Sequence, residues 1–389
     1  MARLYAAHDP QFARSMGDLL GPALLEGNHV EVLSNGDEIF PAMLAAIRGA
    51  QKTISFETYI YWSGSIGREF AGALAERARA GVKVHVLLDW IGSLKMDASL
   101  IEQMKRAGVE VMKYHKPRWY TLHRLNNRTH RKLLVVDGRE GFTGGVGIAD
   151  EWRGHAQDPQ HWRDSHYHLQ GPAVAQMQAA FMENWIKVSG EVLHGPDYFP
   201  PLEPLGDGRA QLFSSSPTGG SVSMRLMYLL AITAASRSIY LSTPYFVPDA
   251  LSRKALIDAV KRGVKVQIIT VGPVTDAELV RHASRARWGE LLEAGVEIYE
   301  FQPTLYHVKA MIVDDLWVAV GSTNFDPRSF DLNDEDNLSY FDTAFARHLA
   351  EIFREDLARS RRFTLQNWKE RPLSEKFLDR AASLLGSQL

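Results

Sequence analysis

The chain has 389 residues, 45% of them hydrophobic and 23% charged, enough apolar content for sizeable buried cores; a disordered or collagen-like chain is excluded. Lys+Arg 44 against Asp+Glu 46 leave a formal charge of -2, so no global field draws the protein to nucleic acid or anionic lipid, and any basic surface is local. With no cysteine, disulfides, thiolate catalysis and Cys-ligated zinc are excluded.

The opening stretch MARLYAAHDPQFARSMGDLL lacks the continuous apolar core of a leader peptide, so no cleaved leader and no export are expected. Residues 1–28 form an N-terminal segment, whose apolar positions Phe12, Met16, Leu19 and Leu20 suit contact with lipid or a partner. Residues 29–195 read as a first α/β domain: strand ISFETYI from Ile54, then a helix, a glycine stop and a strand in RAGVKVHVLLD from Arg79, and the same plan again in KRAGVEVMKY from Lys105. Residues 196–208 are the core of a Pro/Gly-rich connector, and 209–389 form a second domain. There IYLSTPY from Ile239, KRGVKVQIIT from Lys261 and LEAGVEIYEF from Leu292 follow in the same order. The offsets, 182 from Gly81 to Gly263 and 187 from Gly108 to Gly295, identify a duplication. The expected fold is therefore α/β: two tandem α/β/α sandwich domains, each a largely parallel sheet covered by helices, related by a pseudo-twofold axis with the active site at their interface. The longest apolar runs, such as that from Leu226, are about half the ~20 residues needed to span a bilayer.

HRKLLVVD and HVKAMIVD share the pattern HxKxxxxD, giving His130, Lys132 and Asp137 in one half and His307, Lys309 and Asp314 in the other. Seven residues after each Asp stand Gly144-Gly145 and Gly321-Ser322. On a strand, positions two apart share a face, which sets each imidazole beside an ammonium, whereas Asp137 and Asp314 have the opposite parity and suit a structural role. Two His and two Lys in one pocket suit a phosphodiester: one imidazole attacks phosphorus, the other protonates the leaving oxygen, and the lysines stabilise the charge that builds on the phosphoryl oxygens. No metal and no cofactor is needed. Which imidazole attacks is left open by the residues themselves.

These motifs resemble those of the phospholipase D superfamily, in which HxKxxxxD followed by GSxN occurs twice per active site. NRTHRKLLVVDGREGFTGGVGIADEW, WRDSH, STPYFVPD, HVKAMIVDD and GSTNFDPRSFDLNDEDN resemble more narrowly its bacterial cardiolipin synthase branch. The resemblance implies two phospholipase D-like domains, with His130 as nucleophile and His307 as general acid. It implies a downstream carboxylate as partner for an imidazole, for which Glu335, 28 residues after His307, and Asp164, 34 after His130, are the candidates. It also implies phosphate binding by Asn324 and Ser322 of GSTN. The first copy departs from the pattern with GGVG, so Gly145 and Gly147 are expected to offer only backbone N–H groups. The implied reaction is transfer of a phosphatidyl group from one phosphatidylglycerol to another, releasing glycerol. Hydrolysis of phospholipids to phosphatidic acid and a nuclease activity remain as alternatives. The implied partners are phospholipids at the inner face of a bacterial membrane, with the protein cytoplasmic and peripheral, no oligomer required and nucleic acid not expected.

Other signals are less specific. The basic stretch from Lys113 to Lys132, with Trp119, Tyr120, Leu122 and Leu125 interleaved, suits lipid headgroups, a nucleic-acid backbone or a solvated loop. His161, His166 and His168 are weighed as a metal cluster and set aside, and Arg281, Arg285 and Arg287 face either the pocket entrance or solvent. Phe345, Leu349, Ile352, Phe353 and Leu357 read as the core face of a helix.

Overall fold

The computed structural model describes residues 3–114, 128–217 and 219–384. The first half supplies β1 (Leu25–Ser34), β2 (Thr53–Thr58), β3 (Lys83–Asp89), β4 (Glu110–Tyr114), β5 (Arg128–Thr129), β6 (Leu133–Val136), β7 (Glu140–Gly144) and β8 (Ser165–Gln170). The second supplies β9 (Gly208–Ser215), β10 (Ser238–Ser242), β11 (Lys265–Val271), β12 (Glu297–Phe301), β13 (Ala310–Val313), β14 (Trp317–Gly321), β15 (Asn333–Phe341) and β16 (Ser360–Phe363). From the centre outward the strand orders are β1-β8-β7-β6-β2-β3-β4 and β9-β15-β14-β13-β10-β11-β12, the same plan twice, with β16 added at the second edge. The copies join where β1 pairs antiparallel with β9.

The sheet is mixed rather than largely parallel. Helical crossovers make β2, β3 and β4 parallel, as they do β10, β11 and β12. The tight turns after Val136 and Val313, each centred on the Asp of the motif, instead fold β6 onto β7 and β13 onto β14 as hairpins, and antiparallel pairing continues to the centre. Strands β2, β6, β13 and β14 are buried along their whole length; β6 and β13 accordingly read as continuous apolar runs, while β2 buries Ser55 and Glu57 among its apolar residues.

Three apolar cores result. One lies beneath helices Asn35–Gly49 and Ser65–Arg79 of the first half, and another beneath Ser221–Ala234 and Ala250–Lys261 of the second. The third is shared: Phe181 and Trp185 of helix Val174–Ser189 and Phe345, Leu349 and Phe353 of helix Thr343–Ala358 pack with strand residues of both halves, including Val135 and Ile312. The N-terminal segment is not left for lipid or a partner. Phe12, Met16 and Leu20 are buried in the core of the second half, Phe12 meeting Trp317 and Phe341 edge-on at 6.0 and 5.5 Å; only Leu19 stays exposed. Between Gly190 and Asp207 the chain forms no helix or strand, yet Leu193 and Tyr198 anchor it in the shared core.

Asp137 and Asp314 lie in the hairpin turns rather than on strands, and both are bonded to backbone N–H groups within their own half. The Asp137 carboxylate accepts from the backbone N–H groups of Gln51, Lys52 and Thr53 at 2.7–2.9 Å, and Asp314 does the same for Ser236, Arg237 and Ser238. Each thereby ties its hairpin turn to the start of β2 or β10. Their φ values of 52° and 56° lie in the left-handed region that Asp and Asn tolerate better than other side chains. Asp314→Ala is expected to cost about 2 kcal/mol, since it strips three backbone donors of their acceptor, that of Ser238 buried, and Asp314→Asn about half as much. Denaturant midpoints of the two variants check the ranking.

Candidate active site

His130 and Lys132 do not sit on a strand. They occupy the extended link between β5 and β6, and His307 and Lys309 the equivalent link before β13. The link is held by the other half: His130 N–H donates to Asp334 O and His307 N–H to Arg163 O, both at 2.8 Å. Each lysine folds back so that Nζ donates to the carbonyl of its own histidine, at 2.7 Å for Lys132 and 2.6 Å for Lys309.

The histidine–carboxylate pairs cross between halves. His130 Nδ1 lies 2.9 Å from both oxygens of Glu335, and His307 Nδ1 lies 2.7 Å from Asp164 Oδ2. Asp164 and Glu335 are equivalent positions, because β7 pairs Gly144 with His166 while β14 pairs Gly321 with Asn337. A carboxylate at Nδ1 fixes the proton there and leaves Nε2 as the reactive atom. Both imidazoles line one cavity of about 570 Å³, with Lys132, Asn324, Tyr59, Trp152, Trp162 and residues contributed by both halves.

Each carboxylate is held by a different device. Glu335 accepts from the Ser322 hydroxyl at 2.5 Å and from Asn333 Nδ2 at 3.2 Å. Asp164 accepts from Trp152 Nε1 and from the backbone N–H of Ser165, both at 2.8 Å. This changes the roles expected of the GSTN and GGVG loops. Ser322 is fully buried and spends its hydroxyl on Glu335 instead of substrate. The Gly145 N–H is bonded to Ser165 O, and a Cβ on Gly145 would lie 2.1 Å from Asp164 Oδ1. At Gly147 a Cβ would lie 2.8 Å from that of Ile60, with Trp152 also in contact. The glycines are therefore required by packing around Asp164. Asn324 alone of the four lines the cavity, with its Oδ1 buried and unpartnered; a half-turn of the amide presents a donor there.

Burial dominates the electrostatics. It drives His130 down to about 4 against the pull of Glu335, lowers His307, and drives Lys132 to about 7 and Lys309 to about 8. For Asp164 and Glu335 burial works the other way. Even so, the paired His and the nearby Lys hold both carboxyls below their usual range. Four basic groups and two carboxylates thus share a dry site that gains from an entering anion.

Sequence reading missed the groups beneath this site. The fully buried Arg131, between His130 and Lys132, donates to Ala180 O at 2.7 Å and Glu183 Oε2 at 2.8 Å, with Asp336 Oδ1 3.3 Å from its Nε. On the other side Arg163 pairs with Asp356 at 2.9 Å, and Asp356 also accepts from Tyr306, the residue before His307. Tyr59, 5.1 Å from His130, and Trp152, 5.4 Å from His307, set aromatic edges against the two imidazoles. The YIYW and ADEW stretches that carry them resemble ordinary core sequence.

Other expectations resolve simply. His161 pairs with Asp158 and His168 with Glu140, while His166 is buried among neither, so the three form no cluster. Arg281 and Arg285 turn toward Glu300 and Arg287 toward Pro248 O, away from the cavity. Trp119, Tyr120, Leu122 and Leu125 lie outside the described residues. Among the described residues no helix is long and apolar enough to cross a membrane.

The sequence profile described as "Cardiolipin synthase, PLD-like domain" matches residues 43–156 and 228–357, one block around each half of this site. The chain belongs to that family. Within the cardiolipin synthase family, it is 35% identical over 360 residues to cardiolipin synthase 2 of Bacillus anthracis, covering 92% of this chain and 70% of that one. It is 36% identical over 364 residues to the major cardiolipin synthase of Bacillus subtilis, covering 92% and 75%. In fold it matches phosphatidylserine synthase of Haemophilus influenzae with a TM-score of 0.69 at 15% identity, covering 94% of this chain and 97% of that one.

Two outcomes follow from this geometry. Gly145→Ala, although it touches no substrate, is expected to push Asp164 off His307 and lower kcat by about 10²-fold or more, with little change in KM. The free-enzyme parameter kcat/KM is expected to fall in stages as pH rises, first below the ordinary imidazole value, where His307, lowered by burial, loses its proton, and again through about 7 to 8, where Lys132 and then Lys309 lose theirs. In Lys132→Arg, whose guanidinium stays charged, the fall near 7 disappears while those of His307 and Lys309 remain, at a lower overall rate. Steady-state kinetics against pH on both variants checks each statement.

Proposed function

We infer that the protein is a phospholipase D-type phosphatidyltransferase, a cardiolipin synthase, that converts two phosphatidylglycerols to cardiolipin and glycerol. The observation that carries the reading is the pair of crossed histidine–carboxylate contacts in one cavity, in a chain with cardiolipin synthase relatives along 92% of its length. In the first step His130 Nε2 attacks the phosphorus of the donor lipid. The bond to the glycerol oxygen breaks, and protonated His307 gives that oxygen its proton, so free glycerol leaves and a phosphatidyl group remains on His130. Glu335, at Nδ1, balances the positive charge that grows on the ring. Lys132, Lys309 and the Asn324 amide oppose the charge on the phosphoryl oxygens. In the second step His307, now neutral and oriented by Asp164, takes the proton from a hydroxyl of the second phosphatidylglycerol. That oxygen attacks phosphorus and the N–P bond breaks, restoring both imidazoles.

Water and a lipid alcohol compete for this intermediate. The side of the cavity around His307 is walled by Ile60, Trp152 and Trp162, apolar surface that favours the glycerol of a lipid over bulk water. In this reading the protein works as a peripheral protein on the cytoplasmic face of the membrane that holds its substrates.

Vesicles of phosphatidylglycerol are expected to yield cardiolipin and glycerol in equal amounts. Phosphatidic acid as the main product with acceptor in excess would replace the synthase reading with a hydrolase. Rapid acid-free quenching and mass spectrometry should find the phosphatidyl adduct on the peptide containing His130, and an adduct on His307 instead would reverse the two roles. His130→Ala and His307→Ala are each expected to lower turnover about 10³-fold or more.

A further inference from the structure

Helix Leu373–Leu384 packs on helix Glu278–Ala286, and its acids all turn inward. Asp379 binds His282 Nδ1 at 2.7 Å and the Arg371 guanidinium, and Glu375 lies 3.6 Å from Arg285. With Ala382, these residues recur at the three- and four-residue spacing of one helix face. The opposite face, at the same spacing, carries Leu373, Phe377 and Arg380. Leu373 is 84% and Phe377 73% exposed, the two most exposed large apolar side chains among the described residues of the second half, and Leu378 beside them is 49% exposed. A helix that spends its carboxylates on the protein and shows leucine, phenylalanine and arginine to solvent has the pattern of an element lying in a lipid–water interface.

The position of this helix bears on the cavity. The contacts His282–Asp379 and Arg285–Glu375 run in opposite chain directions, so the helices are antiparallel, and the later turns of 373–384 lie by the first turn of 278–286. In that turn Val280 lines the cavity and Leu279 is 47% exposed. Arg361, on the neighbouring β16, is exposed and reaches the same Glu300 that holds Arg285, which adds a cation to this surface.

We propose that the exposed face of helix Leu373–Leu384, continued by Leu279, docks on an anionic phospholipid bilayer and so turns the mouth of the cavity toward the lipid headgroups. The charges favour lipid over a second copy of the chain, because Arg380 on this face and Arg361 near it suit anionic headgroups, whereas isologous pairing would bring together two faces of like charge. The proposal takes its substrate from the transferase reading, but binding is measured without turnover, so the identity of the product tests that reading separately.

The test uses the full chain carrying Leu373→Asp and Phe377→Asp, and vesicles of phosphatidylglycerol and phosphatidylcholine in equal parts. Flotation with the vesicles is expected to fall tenfold or more and turnover on them to fall in parallel. Turnover of dihexanoyl phosphatidylglycerol dispersed as monomers should stay within twofold of the unaltered protein. In Phe377→Trp, the new indole should be quenched by brominated acyl chains. Unchanged flotation of the double variant, or an indole that bromolipid does not quench, would overturn the proposal. So would a dimer in gel filtration that the double variant abolishes while flotation persists.

Discussion

Neither histidine of the cavity has its carboxylate partner in its own half. His130 depends on Glu335 and His307 on Asp164, each across the pseudo-twofold axis, and both contacts are buried. An imidazole and an ammonium side by side out of water are costly unless a carboxylate compensates them, and here that carboxylate is available only when the other half is in register. The duplication is therefore more than a doubling of ligands. It is the condition under which four basic groups can be buried at all.

Register, in turn, is enforced beneath the site. On β15 the side chains alternate, so Glu335 turns to His130 while Asp336 turns toward Arg131; the link 130–132 alternates in the same way. The Arg131 guanidinium reaches helix Val174–Ser189 and Ser215 of β9 as well, joining elements of both halves under one histidine. Under the other, Arg163, Asp356 and Tyr306 connect the residue before Asp164 with the residue before His307. A slip of one residue in either segment would swap the two faces and leave buried charges unpaired, which makes these networks strong constraints on alignment whatever their net contribution to stability.

Much of this was legible in the residues. The repeat and the two HxKxxxxD motifs are read from spacing, whereas strand parity does not apply to Asp137 and Asp314, which lie in turns. The partnership of Asp164 and Glu335 with the histidines was visible only as candidacy, since spacing along a chain says nothing about which carboxylate crosses to which imidazole. The strand directions differ from the largely parallel expectation because helix–strand alternation in RAGVKVHVLLD and its relatives is conspicuous, whereas the hairpins after Val136 and Val313 turn through only three residues each, short beside the apolar runs that flank them. Ser322, Gly145 and Gly147 were read as phosphate ligands. Their actual constraints, a hydroxyl for Glu335 and empty space for Asp164, Ile60 and Trp152, are tertiary contacts that no local pattern encodes.

The burial of the N-terminal segment bears on the order of assembly. Phe12 rests on Trp317 and Phe341, Ala7 N–H donates to Ala234 O, and β1 is completed by β9. During synthesis Phe12 therefore waits for partners made much later in the chain, from the core residues around Met224 to Trp317 and Phe341. Such long-range closure is slow compared with the local helix–strand contacts of either half. The first half can gain its own core early, but the sheet stays open at its centre until β9 and β15 have been made.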